Sequence, residues 1–306
     1  MRLAVTGASG FIGRTLAARL REVGLASSTL LIDRVPFNMP DFECRQAELT
    51  SDSASLSLFD DIDVVCHLAD LPGAASQDKP AISRRVNLDL PLALIEKLAG
   101  RRIVNASSIA VYGSAFGEVV RDDTPAQPDS VYGTHKRMVE LALSDAIRRG
   151  TIGGLSLRVP GVMARPLCAG GFGSAFLSDL FHAVWAGEKL TLPVSPDATT
   201  WIVSASTIAS QLAHAMLESF DMTDPLLLPA THAKIADLVA VIGAHGDASH
   251  IQYQADPAIQ TRFGCYPPLL TERAHNFGFA TAECLDALVD AVSRTRQIPT
   301  SAANAA

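Results

Sequence analysis

Short, nearly unbroken apolar runs alternate with longer amphipathic ones through the first half of the chain. Residues 2–6, 29–32, 63–68, 102–106 and 154–158 are the short runs, and each reads as a buried strand. Residues 14–23, 86–99 and about 130–149 carry helical texture between them. Strands that are apolar on both faces and separated by helices predict an α/β fold, a doubly wound parallel sheet covered on both sides. After residue 160 the pattern changes. Pro166, Gly170, Gly171 and Gly173 mark a loop, and Phe172, Phe176, Leu180 and Val184 then form a helical stripe suited to a core. Residues 206–220 form a helix carrying Ile208, Leu212 and Met216, 226–228 a short strand, and 233–242 and 282–294 two more helices. Residues 187–203 read as loop and short strand, 245–280 as irregular, and 299–306 as a frayed tail. The expected organisation is a domain over 1–160, to which segments around 204–245 return, and a smaller interleaved lobe over 161–306.

The turns of this pattern carry the candidate chemistry. The first strand runs directly into Gly7-x-x-Gly10-x-x-Gly13 and a helix. Glycines there let the backbone turn tightly against a pyrophosphate, while the helix N-terminus offers free N–H groups. This makes the sheet Rossmann-type and the first domain dinucleotide-binding. Asp33 closes the next strand, where a carboxylate accepts from adenosine ribose hydroxyls and repels a 2′-phosphate, so NAD is favoured over NADP; Arg34 beside it weakens that preference. Ser107 and Ser108 end a central strand at the carboxyl edge of the sheet. Tyr132 and Lys136 follow at helical i,i+4 spacing, a phenol with an ammonium alongside that favours its ionisation. Tyr-x-x-x-Lys alone is common on surface helices. With the glycine loop, Asp33 and Ser108 in the same chain it reads as a proton acceptor, its tuning cation and a hydroxyl that holds a substrate oxygen.

The chain resembles the extended short-chain dehydrogenase/reductases, the NAD-dependent epimerase/dehydratase family. The resemblance rests on Thr6-Gly-Ala-Ser-Gly-Phe-Ile-Gly13, His67-Leu-Ala69, Val86-Asn87, Ala106-Ser-Ser-Ile-Ala-Val-Tyr-Gly113 and Tyr132-Gly-Thr-His-Lys136. It implies a catalytic trio of Ser108, Tyr132 and Lys136, with Lys136 also touching the nicotinamide ribose. It further implies NAD contacts at Gly7, Gly10, Phe11, Ile12, Glu48, Leu49, Leu68, Ala69, Asn87, Ser107, Pro160 and Val162, with Ser107 facing the nicotinamide. Residues 158–204 lack the segments with which sugar-nucleotide epimerases of the family hold a diphosphate. Ile109-Ala110 stands where dehydratases carry an Asp-Glu pair, which removes their acid and base. The run Leu157-Arg-Val-Pro160, Ala164-Arg-Pro166, Gly171-Phe-Gly-Ser174 and Leu192-Pro-Val-Ser-Pro-Asp197 instead resembles members that oxidise a small sugar acid at its C2 hydroxyl. The loop Asp70-Leu-Pro-Gly-Ala-Ala-Ser76 departs from those members where it borders the substrate.

Substrate contacts are expected from Ser76, Ser108, Tyr132, Arg165, Phe172, Ser174 and Trp201. Arg165 is the candidate carboxylate clamp, since a guanidinium binds a carboxylate through two parallel bonds; a surface loop arginine is the competing reading. Trp201 and Phe172 either close the pocket or fill the lobe core. His67, closing a buried strand, reads as a satisfied core histidine, and His135 points to another face from Tyr132. A sugar or sugar-nucleotide epimerase and a non-enzymatic NAD sensor are the alternatives to a dehydrogenase.

Composition narrows the partners. The 306 residues are 48% hydrophobic and 19% charged, with a formal net charge of −7, which argues against a broad nucleic-acid footprint and against a polybasic membrane surface. No apolar run reaches the roughly 18 residues of a membrane span. The five cysteines, Cys44, Cys66, Cys168, Cys265 and Cys284, include no C-x-x-C, which suggests reduced thiols, no metal site and a cytoplasmic setting. The expected partner is a small-molecule sugar acid, and family members commonly form homodimers through the helix bearing Tyr132 and the one before it.

Overall fold

The structure, a computed structural model, describes residues 1–167 and 173–295. The strands are β1 (Leu3–Thr6), β2 (Thr29–Asp33), β3 (Glu43–Gln46), β4 (Val64–His67), β5 (Arg102–Ser108), β6 (Gly153–Val159), β7 (Gly161–Met163), β8 (Leu190–Leu192), β9 (Thr199–Ser204), β10 (Leu226–Leu227), β11 (Thr231–Lys234) and β12 (Ile251–Tyr253). The helices are α1 (Phe11–Glu22), α2 (Ser53–Leu56), α3 (Gly73–Asp78), α4 (Pro80–Arg84), α5 (Leu90–Lys97), α6 (Val131–Arg148), α7 (Phe176–Ala186), α8 (Ala205–Leu217), α9 (Ile235–Gly243), α10 (Pro257–Phe263), α11 (Glu272–Asn276) and α12 (Leu285–Thr295).

Seven strands form one parallel sheet in the order β3-β2-β1-β4-β5-β6-β10. Strand order reverses between β1 and β4, and in open α/β sheets the ligand crevice lies outside the carboxyl ends at that reversal. Alternate residues of each strand enter opposite cores. Leu3 and Val5 pack with Leu16 and Leu20 of α1 and with Ile208, Leu212 and Met216 of α8. Ala4, Leu30, Val65 and Ile103 pack with Leu94 of α5 and with Val139, Leu143 and Ile147 of α6. Because both faces are covered, the strands read as unbroken apolar runs. A third core joins Phe176, Leu180 and Val184 of α7 to Ile235, Leu238 and Ile242 of α9 and to Leu288 and Val292 of α12. It backs the small sheet β11-β9-β7, and β8 pairs with β12 beside it. Strand β12 lies in a stretch whose pattern reads as irregular, and the edge strand β3 in one to which the pattern assigns no element.

A charged knot is buried under α6. Glu140 is fully buried and accepts from Arg158 Nε and Nη2, both at 2.9 Å, from Ser107 Oγ at 2.7 Å and from Arg137 Nη1 at 2.9 Å. Arg158 also donates to the Tyr112 hydroxyl at 2.9 Å. One carboxylate thereby joins α6 to β5 and β6. Glu140→Gln leaves the Arg158 guanidinium without its counter-charge in the interior, and is expected to cost about 3 kcal/mol of stability. Urea unfolding midpoints of the two proteins check this.

Candidate active site

The cleft begins where β1 turns into α1. Gly7 has φ +68°, and a Cβ there would lie 2.8 Å from the Ala69 nitrogen, so the glycine loop and the end of β4 meet backbone to backbone. A Cβ on Gly13 would lie 2.3 Å from the Gly7 carbonyl oxygen, which accounts for the third glycine: only a bare Cα lets α1 start this close to the strand. Thr6 fixes the neighbouring strand end. Its Oγ1 accepts from Leu68 N at 3.1 Å and Ala69 N at 3.2 Å, which leaves its proton for His67 Nδ1 at 2.8 Å. Burial, aided by the Lys136 charge, pushes His67 down to about 3, so it is a neutral core residue.

Asp33 stands at the far wall. Its carboxylate accepts from Ser9 N at 2.9 Å and Val35 N at 3.1 Å, which orients it and leaves lone pairs for hydroxyl donors. The residues present therefore fit a dinucleotide: a backbone cradle too tight for a Cβ, a helix N-terminus, and an oriented carboxylate one strand away. A cavity of about 890 Å³ runs along this edge of the sheet. Gly7, Gly10, Phe11, Ile12, Asp33, Glu48, Leu49, Leu68, Ala69, Pro160 and Val162 all line it.

At its other end the cavity meets Ser108, Tyr132, Arg165 and Ser174. The local sequence explains how they converge. Ser108 Oγ accepts from Ala110 N at 3.1 Å and caps the tight turn Ile109–Tyr112. Ser130 Oγ accepts from Gly133 N at 3.1 Å and caps α6. A Cβ on Gly133 would lie 2.2 Å from the Ala110 oxygen, so the first turn of α6 is pressed onto that turn and Tyr132 is brought over Ser108. Lys136, buried one turn later, donates to the Ala106 carbonyl at 2.8 Å, with its ammonium 5.4 Å from the Tyr132 ring centre. In the same cavity Arg165 Nη2 donates to Ser174 Oγ at 3.4 Å, and the Arg165 backbone is held by Ser178 and His182.

Asp70 changes the electrostatics. The Tyr132 hydroxyl donates to Asp70 Oδ2 at 2.7 Å, and the same oxygen lies 3.4 Å from Lys136 Nζ. Burial, then the Asp70 charge and its hydrogen bond, push the Tyr132 phenol well above its usual value, against smaller opposite pulls from Ser108 and Arg165. The expectation that Lys136 brings this phenol toward ionisation is thus opposed by Asp70, because the carboxylate stabilises the protonated phenol.

Four further expectations are corrected by side-chain direction. Ser107 borders the cavity, but its hydroxyl donates to buried Glu140, away from a nicotinamide. Asn87 is off the cavity wall: it donates to the Leu71 carbonyl at 2.8 Å, to Ser76 Oγ at 3.1 Å and to Ser83 Oγ at 3.2 Å, and accepts from Leu71 N at 2.7 Å. Ser76 is fully buried and donates to the Leu71 carbonyl at 2.5 Å, so it shapes the 70–76 loop from within and does not face a substrate. Trp201 touches the cavity, yet its indole N–H donates to the Pro267 carbonyl at 2.6 Å and its ring packs with Tyr112, Phe116 and Tyr266 as lobe core. Phe172 lies outside the described residues. Asp70 was missed, as were Arg262, Phe263 and Tyr266, which line the cavity from a stretch that reads as irregular; Arg262 pairs across it with Asp129 at 3.3 Å. Among the described residues no cluster of His, Cys, Asp or Glu could hold a metal ion, and no helix is long and apolar enough to cross a membrane.

The model of the NAD dependent epimerase/dehydratase family matches residues 3–201. A D-erythronate dehydrogenase from Cupriavidus necator is 28% identical over 315 residues, covering 95% of this chain and 97% of that protein. One from Haemophilus influenzae is 26% identical over 284 residues, covering 87% and 90%. Among solved structures, a nucleoside-diphosphate-sugar epimerase from Agrobacterium tumefaciens superposes with a TM-score of 0.85 at 24% identity, covering 94% of this chain and 92% of that one. Since the Asp33 carboxylate is oriented by backbone N–H groups at the β2 end of the cradle, Asp33→Ala is expected to weaken NAD about 10-fold, the loss of a charge-assisted hydrogen bond, and to narrow the preference over NADP. Fluorescence titrations with both nucleotides check this.

Proposed function

The chain belongs to the NAD dependent epimerase/dehydratase family, as an NAD-dependent dehydrogenase of the extended short-chain type, and from that premise we propose that it oxidises a small sugar acid at its C2 hydroxyl, with D-erythronate to 2-dehydro-D-erythronate as the leading reaction. The observation that carries this reading is the meeting of Tyr132, Ser108 and Arg165 at one end of a cleft whose other end fits a dinucleotide. The near full-length similarity to two D-erythronate dehydrogenases supports the choice of acid.

In this mechanism the substrate carbinol lies against Ser108 and Tyr132. Ser108 holds its oxygen by a hydrogen bond, and Tyr132 receives the hydroxyl proton as the carbonyl forms. When bound, NAD supplies the hydride acceptor; Asp33 and the Gly7–Gly13 loop would hold it. Arg165 binds the substrate carboxylate, and Ser174, in hydrogen-bonding contact with the guanidinium, steadies it. Lys136 works from behind the phenol through its bond to the Ala106 carbonyl and its contact with Asp70.

The test is NADH formation across a panel of four- to six-carbon aldonates, with UDP-glucose included because an epimerase gives no net NADH. D-Erythronate is expected to give the highest kcat/KM; no turnover of any aldonate would sink the assignment. Tyr132→Phe is expected to lower kcat by at least about 10³-fold while leaving NAD affinity within about 2-fold, since the ring stays and only the proton-carrying oxygen is lost. Arg165→Met is expected to raise KM for the acid about 30-fold, the loss of a charge-assisted bond worth about 2 kcal/mol, while a neutral polyol substrate is unaffected.

A further inference from the structure

We propose that Asp70 is the terminal acceptor of the substrate's hydroxyl proton, reached through Tyr132, so that the phenol passes a proton on and never has to ionise. The inference deepens the reading above and rests on its assignment of Tyr132 to the substrate oxygen.

The geometry carries it. A tyrosine hydroxyl has one proton and two lone pairs. In this site the proton is already committed to Asp70 Oδ2 at 2.7 Å, so the lone pairs are what Tyr132 offers to the cleft. That suits a group which must accept a hydrogen bond from a substrate hydroxyl. A phenolate formed here would sit beside a carboxylate in a buried setting, whereas a proton moved onto Asp70 neutralises that carboxylate. The relay replaces an unfavourable pair of neighbouring anions with none.

The step balances as two proton transfers. The substrate O–H bond breaks and a new O–H bond forms on Tyr132 Oη; the original Tyr132 Oη–H bond breaks and an O–H bond forms on Asp70 Oδ2. The carbinol carbon is oxidised and its hydride pair goes to the nicotinamide, as the dehydrogenase reaction already requires. The proton then leaves from Asp70, whose side chain is 25% exposed, to solvent. In the reducing direction the same protons run back.

The charged and titratable groups around the relay come from each element packed against it. Lys136 from α6 lies 3.4 Å from the accepting Asp70 oxygen and keeps the carboxylate in place. Arg165, from the segment after β7, and Ser108, from β5, also act on the phenol, against Asp70. His67 at the end of β4 stays neutral and cannot compete for the proton. Asp129 and Arg262 border the same cavity but are paired with each other.

Asp70→Asn keeps the shape and removes the acceptor. Its kcat is expected to fall about 100-fold at neutral pH and to recover as pH rises, moving the acid limb of the kcat profile upward by at least about 2 units, because a phenol must now ionise by itself. NAD affinity should stay within about 2-fold. Without any cofactor or substrate, ultraviolet difference titration, with Tyr132→Phe as the subtraction, is expected to show Tyr132 ionising at lower pH in Asp70→Asn than in the parent. The unsubstituted enzyme provides a second measurement: rates in H2O/D2O mixtures should bow, as two protons in flight require. A linear plot, an unshifted acid limb in Asp70→Asn, or an unchanged Tyr132 titration would each overturn the relay. If Tyr132→Phe is inactive while Asp70→Asn keeps the parent profile, the relay alone fails; if Tyr132→Phe turns over normally, the assignment beneath it fails as well.

Discussion

Everything at the reactive end of the cleft depends on where the Glu140 carboxylate is held. Tyr132, Lys136 and Glu140 follow at intervals of four along α6, so they share one face of the helix. Glu140 is clasped by a guanidinium from β6 and a hydroxyl from β5, both in the interior. A buried ion pair contributes little net stability compared with apolar packing, because both charges lose water. Its directional bonds nevertheless leave α6 one rotation and one height over the sheet. The alternation of β5 then completes the arrangement: Ser107 turns inward to the carboxylate, and Ser108, the next residue, turns toward the cleft.

The phenol above that frame is held between opposing influences. Lys136 and Arg165 supply positive charge, while burial and Asp70 favour the protonated form. In a family read through its Tyr-x-x-x-Lys pair, the cation is the natural focus. Here the anion is the group in direct hydrogen bond with the hydroxyl, and the ammonium meets that anion, the Ala106 carbonyl and the phenol ring. The cofactor end has no such contest. It is made of backbone approach at Gly7 and Gly13 and one oriented carboxylate, features that depend on the absence of side chains as much as on their presence.

The sheet was legible in the sequence because its central strands are buried on both faces, and such strands announce themselves as apolar runs. Edge strand β3 did not: Glu43, Cys44, Arg45 and Gln46 are a strand only by pairing with β2. The three-residue strands β7, β8 and β12 are too short to establish any period. At the site, Ser108, Tyr132, Lys136, Asp33 and the glycines were legible because their spacing follows from one strand, one turn and one helix. Asp70 was not, since its bond to Tyr132 crosses 62 residues of sequence and depends on the path of a loop. Asn87, Ser76 and Ser107 have the polar character of ligand contacts, but sequence could not tell which way each side chain turns, and all three turn inward.

The 70–76 loop is fastened at its root, at Leu71 and Ser76, by both ends of the single Asn87 amide. Between those points the chain enters α3, with the Pro72 carbonyl accepting from Ser76 N at 2.9 Å. The segment behaves like an interchangeable cassette: Pro72, Gly73 and Ala74 present the start of α3 to the cavity, while the clamp keeps the Asp70 backbone in register with the phenol. Changes at residues 72–74 would therefore alter the cavity wall without disturbing the Tyr132–Asp70 bond beside it, and a library confined to those positions would vary the wall separately from that bond.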